Sequence, residues 1–222
     1  LIRLSNFKRF GVICVGEHVY KDFLLYAKSI DKCSYVRNPV SIEFVRQKSE
    51  GSKLYHGVYF VHVARFCRQK QHLDLLKAYL LSQVATPLLL LGDGPMRPVV
   101  EKFISRHKLT DKVKILGFVD NPYPYLGNAR ALLLTSKFEG YPMCILESLA
   151  LGTPVLSYDC PTGPSELLGK ESPQSLIRLG DINEFALRLR EIESGLLRLP
   201  IPDISQNNSK FVAEQYLDIL FS

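Results

Sequence analysis

The chain has 222 residues, 46% of them hydrophobic, with a formal charge of +6 and a sequence pI near 9.0. That is enough apolar material for one packed α/β domain and part of another, which excludes general disorder. The longest apolar runs, such as PLLLL and ALLLT, fall far short of the roughly 20 residues that span a bilayer. The cationic balance suits a phosphate-bearing ligand, nucleic acid or anionic lipid, but Lys and Arg are scattered, so charge alone does not choose between them.

The five cysteines form no C-x-x-C pair and sit in apolar contexts such as VICVG and PMCIL, the pattern of reduced packing thiols. Residues 1–20 carry no signal-peptide pattern, so a cytosolic, non-integral protein is expected; Leu1 in place of Met suggests a fragment, a processed product or a trimmed chain.

In chain order, residues 1–48 offer a strand (VICVG), a helix and an extended segment (SYVRNPV), too little to bury a core of their own. The polar stretch QKSEGSK (47–53) reads as a linker. From residue 58 short Val, Ile and Leu runs alternate with helical spacing, the mark of βαβ units. VYFVHVA (58–64) predicts a strand, QKQHLDLLKAYLLSQ (69–83) a helix, PLLLLGD (87–93) a strand, and Gly94-Pro95 leads into a helix ending near Leu109. VKILGF (113–118) is the next strand, NPYPYLGN a turn, ALLLTS (131–136) a strand, then a helix from Pro142 to Leu151 and a strand at TPVLSYD (153–159). A short helix near GPSELL, a weak strand at LIRL (176–179) and helices over 181–194 and 209–220 complete the pattern. Strands apolar on both faces belong in a parallel sheet covered on each side, so the fold class is α/β, a doubly wound Rossmann-like domain over 49–200 with a helix in 201–222 returning toward the N-terminal part. Ligands bind beyond the carboxyl ends of such strands, so the loops GDGP, TSKFEGYP and YDCPTGP are expected to line one crevice.

EGYPMCILE (139–147) places two carboxylates around an apolar run. Pro142 suits a first helical turn, whose free N–H groups and positive dipole end make a ready phosphate site. Eight positions of continuous helix would separate Glu139 and Glu147 by about 12 Å, beyond the roughly 5–9.5 Å of a hydrolase carboxylate pair, so the two have different jobs. A carboxylate accepts well from the paired hydroxyls of a sugar or ribose; by residue type alone, a solvated helix residue and a turn carboxylate fit equally. Arg65 and Lys70, in ARFCRQK after the first strand, could hold a diphosphate together or simply be solvated. His62, inside an apolar strand, is expected to be a hydrogen-bonded core residue. No His, Cys, Asp or Glu cluster has metal-ligand spacing, there is no D-x-D, and Gly92-Asp93-Gly94 is turn chemistry rather than a dinucleotide fingerprint, so no metal or cofactor is expected.

Taken together, VARFCRQK, LLLGDGP, VKILGFVDNP, ALLLTSKFEGYPMCILESLALGTPVLS and DCPTGPSELL resemble, in order and spacing, the C-terminal domain of GT-B glycosyltransferases of family 4, over about residues 30–195. The resemblance implies a retaining hexosyltransferase using a nucleotide-sugar, with UDP the expected carrier, on a glycan or lipid-linked acceptor in surface polysaccharide or lipopolysaccharide synthesis. The place it implies is the cytoplasm, with peripheral contact at the inner membrane face and no nucleic-acid partner. It matches Arg65 and Lys70 to the basic pair on the donor diphosphate, Glu139 to the carboxylate on the donor sugar and Glu147 to the one on the ribose. The N–H groups around Tyr141, Met143 and Cys144 would lie at the helix start beside the phosphates and Gly117, Phe118 and Val119 where the base stacks, with Gly92, Gly94, Gly140 and Pro142 also expected to bind substrate. Ala64 and Gln71 replace glycines common in the family's first motif, and residues 1–45 match only the last part of the N-terminal domain that holds the acceptor site. Two rivals remain at this point: a non-catalytic nucleotide-sugar-binding module or split-enzyme subunit, and a nucleotide-sugar epimerase.

Overall fold

The computed structural model describes residues 11–27, 32–51 and 55–221. In the N-terminal segment β1 (Val12–Cys14) and β2 (Cys33–Tyr35) pair in parallel around α1 (Glu17–Tyr26). A second helix, α2 (Ile42–Ser49), follows where sequence patterning indicated only extended chain running into a linker. Its start is capped by Ser41, whose Oγ accepts from Phe44 N, with Glu43 in the first turn and Arg46 and Lys48 in the last, each complementing the helix dipole. Its eight residues carry one buried side chain, Val45, so hydrophobic periodicity could not announce it; a tertiary bond from Arg46 Nε to Ala150 O (3.0 Å) helps hold it in place.

The main sheet has six parallel strands in the order β5-β4-β3-β6-β7-β8. They are β3 (Phe60–Val63), β4 (Leu88–Leu91), β5 (Val113–Gly117), β6 (Ala131–Leu134), β7 (Val155–Asp159) and β8 (Leu176–Arg178). All residues of β4 and β6 are buried, and each buried leucine is worth about 1.5–3 kcal/mol over its exposed state, so these unalternating runs fix the sheet's centre. Alternate residues feed two cores. One packs under α3 (His72–Ser82), α4 (Arg97–Arg106) and α8 (Ile182–Ser194); the other packs under α2, α5 (Tyr123–Gly127), α6 (Met143–Ala150) and α7 (Pro164–Leu168). The turn expected at NPYPYLGN is thus largely the one-turn helix α5.

The last helix, α9 (Ser209–Phe221), begins beside the N-terminal segment: Val40 N donates to Asn207 O (2.7 Å) and Ser209 N to Val40 O (3.2 Å). His62 is a core residue, its Nδ1 2.7 Å from Leu133 O; because a carbonyl only accepts, that nitrogen carries the proton. The five cysteines are all free thiols.

Candidate functional site

Strand order reverses between β3 and β6, and the loops leaving those two strands are stitched together there. After β3 comes a 3₁₀ turn, Arg68–Lys70, closed by Gln71 in the left-handed region (φ 46°). Gln69 Nε2 donates to Phe138 O (2.7 Å), Lys137 N to Gln69 O (2.8 Å), and Thr135 Oγ1 to Lys70 O (3.2 Å). This stitching delivers Lys70 Nζ to within 2.5 Å of Glu139 Oε1, with the glutamate side chain 8% exposed. A pair this sequestered keeps its attraction, because little solvent screens it.

Sequence alone does not predict that pairing. Arg65, by contrast, is exposed and lines a cavity of about 510 Å³ at the ends of β3, β4 and β5, together with Gly92, Phe118 and Val119, and Lys70 is not part of that lining. Phe118 is 78% exposed, an aromatic face held in solvent. The glycines divide by role. A Cβ on Gly92 would sit 2.0 Å from Ala64 O, and one on Gly94 2.6 Å from Phe66 O, so both let the loop after β4 lie against the loop after β3. Gly92 borders the cavity, whereas Gly94 does not; its place is against the Phe66 backbone. Gly117 also lies outside the lining and accepts from Gly92 N through its carbonyl (2.7 Å).

The start of α6 follows Glu139 in the chain. Pro142 is its N-cap rather than its first helical residue, and no side chain caps the turn. Proline brings no N–H of its own and the first amides of a helix have no partner inside it, so Met143 and Cys144 present donors at the positive end of the dipole. A Cβ on Gly140 would meet nothing within 4 Å, so the loop before α6 is open at that residue. Tyr141 contributes backbone only: its ring is buried and its hydroxyl accepts from Asn207 Nδ2 (2.8 Å), which also donates to Asn38 O (3.0 Å).

Glu147 sits one turn into α6, half-buried, with Tyr123 Oη 3.4 Å from its Oε1. Burial raises its pKa, and the Tyr123 hydrogen bond partly offsets that. Tyr123 is the functional neighbour that sequence reasoning missed; a tyrosine in a Pro-rich turn carries no signal of a glutamate 24 residues on. The Cys144 thiol is pushed up to about 12 by burial, with Lys70 opposing and Glu139 and Glu147 adding to the rise. It is therefore a neutral thiol between the charged groups and not a nucleophile. Among the described residues no group of three His, Cys, Asp or Glu side chains is placed to hold a metal ion, and no helix is long and apolar enough to cross a membrane.

Residues 46–198 match the family described as Glycosyl transferases group 1. Over 87% of this chain and 53% of the relative, it is 27% identical to the N-acetylgalactosamine-N,N'-diacetylbacillosaminyl-diphospho-undecaprenol 4-alpha-N-acetylgalactosaminyltransferase of Campylobacter jejuni. Among solved structures it is similar to the apo form of the lipopolysaccharide outer core galactosyltransferase WaaB, with a TM-score of 0.75, 26% identity and coverage of 94% of this chain and 61% of that one. It also superposes on an Anabaena HepE protein solved with UDP and glucose, with a TM-score of 0.78, 18% identity and coverage of 99% and 65%. The chain spans about half the length of the curated relatives it matches.

Proposed function

Since the chain belongs to the group 1 glycosyl transferases and has the GT-B fold of its structural neighbours, we propose that it is the donor-binding half of a retaining transferase. In this reading it takes a UDP-sugar and serves the building of a surface polysaccharide or lipopolysaccharide at the inner face of a membrane. The base lies in the cavity against Phe118 and Val119, beside Arg65. The ribose hydroxyls reach Glu147, the diphosphate rests over the Met143 and Cys144 amides, and the sugar meets Glu139. Two kinds of support bear on the carrier and the pathway: the HepE neighbour was solved with UDP and glucose, and the WaaB neighbour is a lipopolysaccharide galactosyltransferase. The matched family and the relatives named above are transferases, and an epimerase reading finds no support among them.

One observation carries the proposal: Lys70 and Glu139, brought together from loops 69 residues apart, meet beside an uncapped helix start that has Glu147 on its next turn. The chemistry follows from charge. As the bond from the sugar's C1 to the diphosphate oxygen breaks, negative charge grows on the leaving phosphate. Lys70 and the α6 amides stabilise that charge more than the uncleaved donor, which lowers the barrier. Fixed cations and dipoles fill this role in the proposal without a divalent ion. Retention corresponds to an acceptor hydroxyl attacking from the face the diphosphate leaves.

Calorimetry with UDP and with UDP-glucose tests the division of labour. Glu147→Ala should weaken both ligands alike, whereas Glu139→Ala should remove the extra affinity of the sugar nucleotide and leave UDP nearly unchanged. Equal losses for both ligands in both variants would refute it.

A further inference from the structure

Glu139 is joined to the first amides of α6 by Gly140, Tyr141 and Pro142, which belong to no helix or strand. Such a connection keeps its place only through tertiary anchors. On one side it leans on the loop after β7: Glu139 N donates to Pro161 O (3.4 Å), Thr162 Oγ1 donates to Glu139 O, and a Cβ on Gly163 would collide with Pro142 Cδ. Those contacts hold Glu139 and Pro142 and leave Tyr141, between them, to be held from elsewhere.

Tyr141 turns the other way. Its ring is buried against Gly16 at the start of α1, where a Cβ would come within 2.9 Å of Tyr141 Cδ2, and its hydroxyl accepts from Asn207 Nδ2 (2.8 Å). Burial pushes that hydroxyl's pKa up to about 12, with the Asn207 bond opposing, so it acts as a neutral hydrogen-bonding group at ordinary pH. Asn207 closes the 3₁₀ turn Ser205–Asn207 ahead of α9 and is only 4% exposed, so its amide must find partners within the protein. It finds two. One N–H goes to Asn38 O (3.0 Å), and the residue's own carbonyl accepts from Val40 N (2.7 Å), which fixes Asn207 to the N-terminal segment. Tying that turn to the N-terminal segment needs nothing more, yet the second N–H reaches the hydroxyl of the residue between Glu139 and Pro142, 66 positions away in the chain.

Resting on the donor reading of Glu139, we propose that Asn207 is a positioning residue: through the Tyr141 hydroxyl it holds the loop that places Glu139 against the donor sugar. Without that bond the ring keeps its apolar contacts but loses its fixed depth, and the carboxylate two residues earlier loses its fixed position. The cavity at Phe118 is built by other strands, and Glu147 is carried by the body of α6, so the nucleotide half of the donor keeps its affinity.

Calorimetry on this chain, with UDP and UDP-glucose as probes, tests the role. The wild type should bind UDP-glucose more tightly than UDP. Tyr141→Phe keeps the ring and removes only the hydroxyl; it should lose about five-fold in UDP-glucose affinity, the worth of one hydrogen bond, with UDP within about two-fold. Asn207→Ala should do the same, and the double variant should be no worse than either single one, because both remove one bond. In a Glu139→Ala background Tyr141→Phe should change UDP-glucose affinity by less than about two-fold, an interdependence that a merely structural role would not produce. Gln206→Ala, which cuts a neighbouring tie from Arg37, should leave both affinities at wild-type values. If Asn207→Ala unfolds, Tyr141→Phe, checked by its melting curve, decides alone. Full UDP-glucose preference in Tyr141→Phe, equal losses for both ligands, additive losses in the double variant, an undiminished effect without Glu139, or the same loss in Gln206→Ala overturns the positioning role and leaves the donor reading standing. A wild type that fails to bind UDP, or binds UDP-glucose no more tightly, overturns both.

Discussion

Glu139 and Glu147 belong to one short motif, yet the fold treats them in opposite ways. Glu139, in the loop, is nearly sealed and ion-paired at 2.5 Å to a lysine from another loop. Glu147, in the helix, is half-buried with only a long tyrosine contact at 3.4 Å, and burial raises its pKa. A paired carboxylate can be held rigidly at little electrostatic cost. An unpaired, partly desolvated one is costly in the empty protein and recovers that cost when hydroxyl donors arrive. In the proposed reading Glu139 is held in place before the sugar arrives, whereas Glu147 gains its hydrogen-bond partners from the ribose.

Four experiments break or sharpen that contrast, from the largest expected effect down. Lys70→Ala removes the partner of Glu139 and the cation proposed to face the leaving diphosphate. Sugar transfer by an enzyme carrying this domain should fall by about 10²–10³-fold, with circular dichroism confirming the fold. Glu147→Gln should weaken UDP binding by about ten-fold at neutral pH, the value of a charged hydrogen bond. In wild type the affinity should decline as pH falls through the raised Glu147 pKa, above the ordinary 4.5, and the variant's titration should be flat there.

The third prediction concerns stability. Because the folded pKa of Glu147 exceeds its unfolded value, its charge opposes folding once pH passes the unfolded pKa, and the penalty grows until the folded pKa is reached. Glu147→Gln should therefore melt a few degrees higher than wild type at pH 7, and that gain should vanish as pH is lowered below about 4. Tyr123→Phe is the mildest: losing a 3.4 Å bond should change UDP affinity by no more than about five-fold and push the Glu147 titration further up.

Most of the architecture is legible in the chain because its signals are local. Unalternating apolar runs such as Leu88–Leu91 and Ala131–Leu134 name the central strands, and the helical spacing between them imposes crossovers and a parallel sheet. The candidate residues were legible by type and order: Arg65, Lys70 and Glu139 lie in the loops after β3 and β6, and Glu147 lies one turn into the helix that follows. Less legible were α2, whose eight residues carry too little periodicity, and the inward turn of Tyr141. The separation of cavity-lining Gly92 from packing Gly94 also had no local signature, since two glycines flanking one aspartate look alike in sequence.

Sequence by itself determined the fold class, the central strands and, to within one residue, the start of α6, because each depends on residues a few positions apart. Tertiary structure alone decided that Lys70 faces Glu139 while Arg65 lines the cavity at the ends of β3, β4 and β5, that Tyr123 reaches Glu147, and that α1 walls a cavity against the loop after β7. Those partners are separated by tens to more than a hundred residues. Their meeting depends on how the sheet stacks its loops, which no periodicity along the chain records.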